Sequence, residues 1–96
     1  MRTFTLVDVC TRGNKLPELT EHTFDSQLAL EQWVKQNIIC MEFNVKAGVY
    51  KNLKYGEWKT FGNQKVLELE VIEKLPSHSE ETLICHKFIA QEKSFI

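Results

Sequence analysis

The chain has 96 residues and a formal net charge of −1, with 43% of its residues hydrophobic and 26% charged. This is the composition of one folded domain, residues 1–96, and the balanced charge excludes an overall field that would recruit nucleic acid or an anionic membrane. No apolar run is long enough to span a bilayer, so we expect a cytoplasmic protein with no membrane contact.

The first predicted element is a strand. Residues Arg2 to Cys10, RTFTLVDVC, are rich in Thr, Val and Phe, which favour strands. Turn residues follow at Arg12 to Asn14, and residues 18–24, ELTEHTF, could return as a shorter second strand. The pattern leaves open whether 18–24 pairs with the first strand.

The next stretch, FDSQLALEQWVKQNI, predicts an amphipathic helix from about Ser26 to Asn37. Asp25 or Ser26 can cap it by accepting a hydrogen bond from a backbone N–H of the first turn. Glu31 and Lys35 lie one turn apart on its polar side. Four apolar residues at helical spacing form the stripe that we expect to pack on a sheet: Leu30, Trp33, Val34 and Ile38.

From Met41 the pattern alternates. Met41, Phe43 and Val45 would face one way, with polar residues between them. This predicts a strand with one wet face, ending near Gly48.

The segment VYKNLKYGEWKTFGNQK, residues 49–65, predicts a hairpin. Its turn is Gly62-Asn63, because glycine accepts the positive φ that two-residue turns require. Counting back from the turn places Lys59 opposite Val66.

An extra residue at Gly56 improves the match further along this hairpin. It places Lys54 opposite Glu70 and Tyr55 opposite Leu69. Six residues then share an apolar face that can receive the helix: Leu53, Tyr55, Trp58, Leu67, Leu69 and Val71.

Lysines and aromatics alternate in residues 46–65, a pattern that can hold nucleic acid. These residues carry five lysines and one acid, whereas residues 66–92 carry six acids and two lysines. We therefore expect the lysines to be cross-strand partners of acids. The alternative is a nucleic-acid-binding domain that uses this basic and aromatic segment, with Lys46, Tyr50 and Lys51 as its patch.

Residues 80–92 fit either a strand or a helix, and their β-branched and aromatic content favours a strand. A long loop is expected before them, around Pro76.

The three cysteines, Cys10, Cys40 and Cys85, have no paired spacing and are expected to be reduced thiols. A metal site would need the histidines His22, His78 and His86. Cys85 and His86 are adjacent, so on a strand they point to opposite faces and cannot both bind one ion. We expect no metal and no cofactor.

Asp8 is the one carboxylate in an otherwise apolar strand. It could indicate acid–base catalysis, but the commoner explanation is a strand position that faces water or a pairing with Arg12 or Lys15. No phosphate-binding loop or nucleophile motif occurs, and no sequence pattern orients a histidine. We expect a protein that is not an enzyme.

A strand pair, the capped helix TFDSQLALEQWV and a meander with a YGEW kink extend from Gly13 to Trp58. This layout resembles small phage-encoded accessory proteins, including some anti-CRISPR inhibitors. The resemblance implies a stoichiometric binder that blocks a host nucleoprotein complex, without cofactor or turnover.

Together these patterns predict an α+β fold. We expect an antiparallel sheet of four to six strands, ββαβββ-like, with one amphipathic helix on one face. The expected function is protein binding, and the partner is a host protein or nucleoprotein complex. The candidate binding residues are Lys46, Tyr50, Lys51, Lys54, Lys59, Glu68 and Glu70.

Overall fold

The computed structural model describes residues 2–74 and 80–94, which form one helix and six strands. The elements in chain order are β1 Arg2–Arg12, β2 Glu18–Phe24, α1 Gln27–Lys46, β3 Tyr50–Tyr55, β4 Lys59–Phe61, β5 Gln64–Lys74 and β6 Glu81–Ser94. The sheet order is β2-β1-β6-β5-β3, with β4 also paired to β5, and every pairing is antiparallel. The predicted α+β class is confirmed, with six strands in the order ββαββββ, one strand more than the ββαβββ-like order expected. Residues 18–24, whose pairing the sequence left open, form a strand paired with β1, and the strand favoured for residues 80–92 is confirmed as β6.

Helix α1 begins as its sequence predicts. The Ser26 hydroxyl accepts a hydrogen bond from the Ala29 backbone N–H at 3.1 Å, which satisfies one free donor of the first turn. Leu30, Val34 and Ile38 are the buried residues of the helix. The apolar stripe therefore faces the sheet.

The prediction of a strand after Met41 is wrong, because α1 continues to Lys46. Val34, Ile38, Met41 and Val45 follow one another at spacings of three and four, so the helical stripe continues through this segment. Phe43, which the alternating pattern placed with Met41, is 68% exposed. Met41 and Val45 fit both patterns, because residues four apart lie on the same face of a strand and of a helix.

The core lies between α1 and one face of the sheet, which we call the helix face. Its buried residues are Leu6, Leu30, Val34, Ile38, Leu67, Leu69, Phe88 and Ala90. Partly buried apolar side chains surround them: Phe4, Phe24, Trp33, Met41, Leu53 and Trp58. We call the opposite side of the sheet the open face, because the described residues place their one helix on the helix face.

The hairpin register is confirmed at the pairs that carry the prediction. Lys59 lies opposite Val66 and Lys54 lies opposite Glu70, and the ladder is interrupted between β3 and β4, where Gly56 lies. Tyr55 also lies opposite Leu69, as predicted.

Two details of this hairpin differ from the prediction. The register shifts again between Lys51 and Lys54, at Asn52, whose φ of 54° is a conformation that asparagine tolerates better than most residues. Tyr55 is 50% exposed rather than part of the core, since it lies near the sheet edge. Its hydroxyl donates to the Glu42 carboxylate of α1 at 3.2 Å.

Glycine 48 and glycine 56 offer a matched test of backbone conformation. A Cβ added at either position meets no atom within 4 Å, but only Gly48 has a positive φ, of 81°. We expect Gly48→Ala to lower the free energy of unfolding by about 1–2 kcal/mol, because an L-residue is strained there. Gly56→Ala should be neutral or stabilising by up to about 1 kcal/mol.

Urea unfolding of the two variants checks this prediction. Equal effects at the two positions would contradict it, because steric space alone does not distinguish them.

Candidate functional site

The open face carries a strip of apolar side chains that crosses four strands. Val9 lies opposite Leu19, Val7 lies opposite Ile89, and Ile89 lies opposite Val66 on its other side. Leu19 is 69% exposed, and Val7, Val9 and Ile89 are half-buried. A groove of about 260 Å³ lies along this strip. Covering these side chains with another apolar surface is favourable, because it removes apolar area from water.

Charged residues flank one side of the strip. Lys87 lies opposite Glu68, and Lys54 lies opposite Glu70. All four side chains are exposed. They line a second groove, of about 530 Å³, together with Val9 and Thr11.

We call Lys54, Glu68, Glu70 and Lys87 the charged rim, and none of the four forms an ion pair with another residue that the structure describes. The ion pairs among residues 2–74 and 80–94 are Arg2–Glu92, Arg12–Glu73, Lys51–Glu81 and Asp8–His86. None of them includes Lys54, Glu68, Glu70 or Lys87. Lys54 and Lys87 lie beside acids as cross-strand neighbours but form no ion pair with them, so within the described part of the chain all four charges remain available to a partner.

The predicted binding residues separate into two groups. Lys54, Glu68 and Glu70 come together on the open face, and Lys59 joins them opposite Val66.

The second group is the patch of the nucleic-acid alternative. Lys51 forms an ion pair with Glu81, and the Lys46 ammonium lies 6.0 Å from the centre of the Phe43 ring. Tyr50 lies opposite Glu73. Acids therefore accompany two members of this patch, and its net positive charge is small.

A cluster on the helix face was missed by the sequence patterns. His86 lies directly opposite Cys10, and Asp8 occupies the diagonal position on the same face of β1. His86 Nδ1 lies 2.9 Å from Asp8 Oδ1, and His86 Nε2 lies 3.8 Å from Cys10 Sγ. The side chains of Asp8 and His86 are each 15% exposed.

This cluster corrects the expected partner of Asp8. Its carboxylate pairs with His86 and not with Arg12 or Lys15, and Arg12 instead lies 3.7 Å from Glu73. An isolated carboxylate in a mostly apolar strand was a usable signal that a partner exists. The identity of that partner depends on the pairing of β1 with β6, which no local pattern reports.

The described residues contain no group of three or more His, Cys, Asp and Glu side chains arranged to hold a metal ion. Cys10, Cys40 and Cys85 are free thiols. Cys85 lies opposite Glu70 on the open face, away from His86. His78, a candidate ligand by sequence, lies outside the described residues. So do residues 75–79 of the loop expected around Pro76.

Comparison with protein-family models, with curated proteins and with solved structures finds no match to this chain. Helix α1 lacks the combination of length and apolar character needed to cross a membrane, and the described residues form no other helix.

Proposed function

We propose that this chain is a small protein-binding module that docks a protein partner on its open face. The observation that carries this proposal is the apolar strip with its charged rim, on a sheet whose helix covers the other face. An apolar centre with a polar rim is the usual anatomy of a protein–protein interface.

The charges of the rim favour protein over nucleic acid. Glu68 and Glu70 stand among Lys54 and Lys87, so the rim presents both signs within one groove. Phosphates would meet two carboxylates there, whereas binding to nucleic acid requires a surplus of cations. A protein surface with the opposite alternation of charges would pair with this rim and set the orientation of docking.

The partner class that we propose is a protein subunit of a host nucleoprotein complex, which this chain would inhibit by stoichiometric binding in the host cytoplasm. The layout resemblance to phage-encoded anti-CRISPR inhibitors supports this choice. Occupation of a docking surface needs no turnover, which agrees with the lack of a catalytic motif in the sequence.

The test exchanges the charges of the rim without changing the net charge. A double variant, Glu68→Lys with Lys87→Glu, keeps opposite charges across the strands but reverses the pattern that a partner meets. The matched control exchanges a helix pair, Glu31→Lys with Lys35→Glu, away from the open face. Each tagged protein is used to capture its partner from nuclease-treated host lysate, and the captured protein is quantified by mass spectrometry.

We expect the unmodified protein and the helix control to retain one partner at near-equal stoichiometry, and the rim variant to lose at least about 90% of it. From near-full occupancy, this loss corresponds to about a hundredfold weakening of binding, or about 2.7 kcal/mol, which is within the several kcal/mol that misplaced interface charges cost. Equal retention by the rim variant would contradict the proposal. Capture of nucleic acid alone, abolished by Lys51→Glu and by moderate salt, would support the alternative function.

A further inference from the structure

The His86 ring is held in one protonation pattern by Asp8. An ionised carboxylate can only accept a hydrogen bond, so the proton lies on His86 Nδ1, which donates to Asp8 Oδ1 at 2.9 Å. In a neutral imidazole this leaves the lone pair on Nε2. Nε2 is the atom that faces Cys10 Sγ, at 3.8 Å. The cluster thus places three groups next to one another in space: a thiol, a base, and a carboxylate that orients the base.

Neighbouring contacts hold this geometry. Cys10 and His86 are directly opposite on two central strands, which fixes the separation of their backbones. The His86 ring stacks on Phe88, with 5.5 Å between ring centres and an angle of 7° between ring planes. Phe88 is itself buried in the core. The base therefore has a rigid support.

We propose that Cys10 is a site of reversible S-thiolation, at which its thiol exchanges with a small disulfide while His86 removes the thiol proton. In this step the Cys10 Sγ attacks one sulfur of the disulfide RSSR, and its proton passes to His86 Nε2. The S–S bond of the reagent breaks as a new S–S bond forms. The departing RS⁻ takes the proton from His86 and leaves as RSH, so no other oxidant is required.

The geometry favours attack on a disulfide over attack on a carbonyl. Acyl transfer requires free N–H donors aimed at a developing oxyanion. Asp8, Val9 and Cys10 are paired with both β2 and β6, so the backbone around the thiol is engaged in the sheet. In disulfide exchange the negative charge leaves on the departing sulfur, which needs no such donors.

The need for a base follows from the surroundings of the thiol. Burial raises the pKa of Cys10, the carboxylates of Asp8 and Glu18 and the Cys85 thiol raise it further, and the Arg12 guanidinium opposes them. The thiol is therefore protonated at neutral pH. Only the thiolate attacks a disulfide, so proton removal by His86 directly affects the rate. The two carboxylates also favour a cationic disulfide, and cystamine is the probe.

The experiment follows one thiol at a time. In a Cys40→Ser, Cys85→Ser background, Cys10 reacts with cystamine from pH 6 to 9, and mass spectrometry follows the mixed disulfide. His86→Gln removes the base. Asp8→Asn offers an amide that can donate to Nδ1 and so moves the ring proton to Nε2. A Cys10→Ser, Cys85→Ser variant, which retains the exposed Cys40, provides an ordinary thiol for comparison.

We expect His86→Gln and Asp8→Asn to slow the native reaction of Cys10 by ~10-fold or more at pH 7. As the pH is lowered, the rates of the two variants should fall about tenfold per pH unit, in proportion to the thiolate fraction. The rate of the parent should fall less steeply. In denaturant all three should react equally. An unreactive Cys10 in the native parent, or equal native rates in parent and variants, would overturn the proposal. If circular dichroism shows that His86→Gln is unfolded, the near-isosteric Asp8→Asn decides.

Discussion

Phe88→Ala is expected to lower the free energy of unfolding by ~3–5 kcal/mol. Phe88 is 1% exposed and belongs to the core between α1 and the sheet. Its removal leaves a cavity bounded by β-strands that are paired on both sides, which limits how far the site can collapse. Urea unfolding measures the effect as a lower midpoint at an unchanged slope.

Phe61→Ala is the matched control. Phe61 is also a strand phenylalanine, but it is 59% exposed and lies on the short edge strand β4. We expect its truncation to change stability by less than about 1 kcal/mol. Similar losses in the two variants would mean that burial in the helix-face core does not determine the stability of this sheet.

Trp58 stands between these two cases. The hairpin register predicted Trp58 on the helix face, and its side chain does pack against the core there. It is only partly buried, because it lies at the margin of that core. A register tells which face a side chain occupies. It does not tell how far the covering helix extends over that face, because this depends on the direction in which α1 crosses the sheet.

Local signals explain what the sequence predicted well. The Ser26 cap and the Gly62-Asn63 turn each act within four residues, and both are formed. From the turn, pairing propagates outward one residue at a time. The sequence alone therefore places the cross-strand neighbours Lys54 and Glu70 on one face.

Ambiguity of period explains the main error. Met41 and Val45 are four residues apart, a spacing that fits both a helix and one face of a strand. No glycine or proline interrupts the chain between Asn37 and Lys46, so nothing stops a helix that has already formed. Continuation costs less than a new strand at this point because helix growth adds one hydrogen bond for each residue ordered.

The Asp8–His86–Cys10 cluster was not predictable in the same way. Asp8 and His86 are 78 residues apart in the chain, and they meet because β6 inserts between β1 and β5 in the sheet. The open face has a similar origin. Its apolar strip is assembled from β2, β1, β6 and β5, so its continuity depends on strand order.

Val34→Asp is expected to remove most or all of the stability of the fold. Val34 is 1% exposed and lies in the middle of the stripe that α1 packs on the sheet. A carboxylate there loses its water, and the core residues around it are apolar and offer no cation. Breaking a core in this way costs several kcal/mol, compared with a total of roughly 5–15 kcal/mol for a small domain.

Lys35→Asp introduces the same side chain one residue later in the same helix, at an exposed position. It carries the same lower helix propensity of aspartate and places a like charge one turn from Glu31, but it is not buried, so we expect a loss of about 1 kcal/mol. Thermal unfolding followed by circular dichroism distinguishes the two variants, since Val34→Asp should show no cooperative transition and Lys35→Asp should keep one. A cooperative transition of unchanged midpoint in Val34→Asp would mean that α1 does not cover the helix face. The two faces of the sheet would then not differ, and the argument for partner binding on the open face would fail.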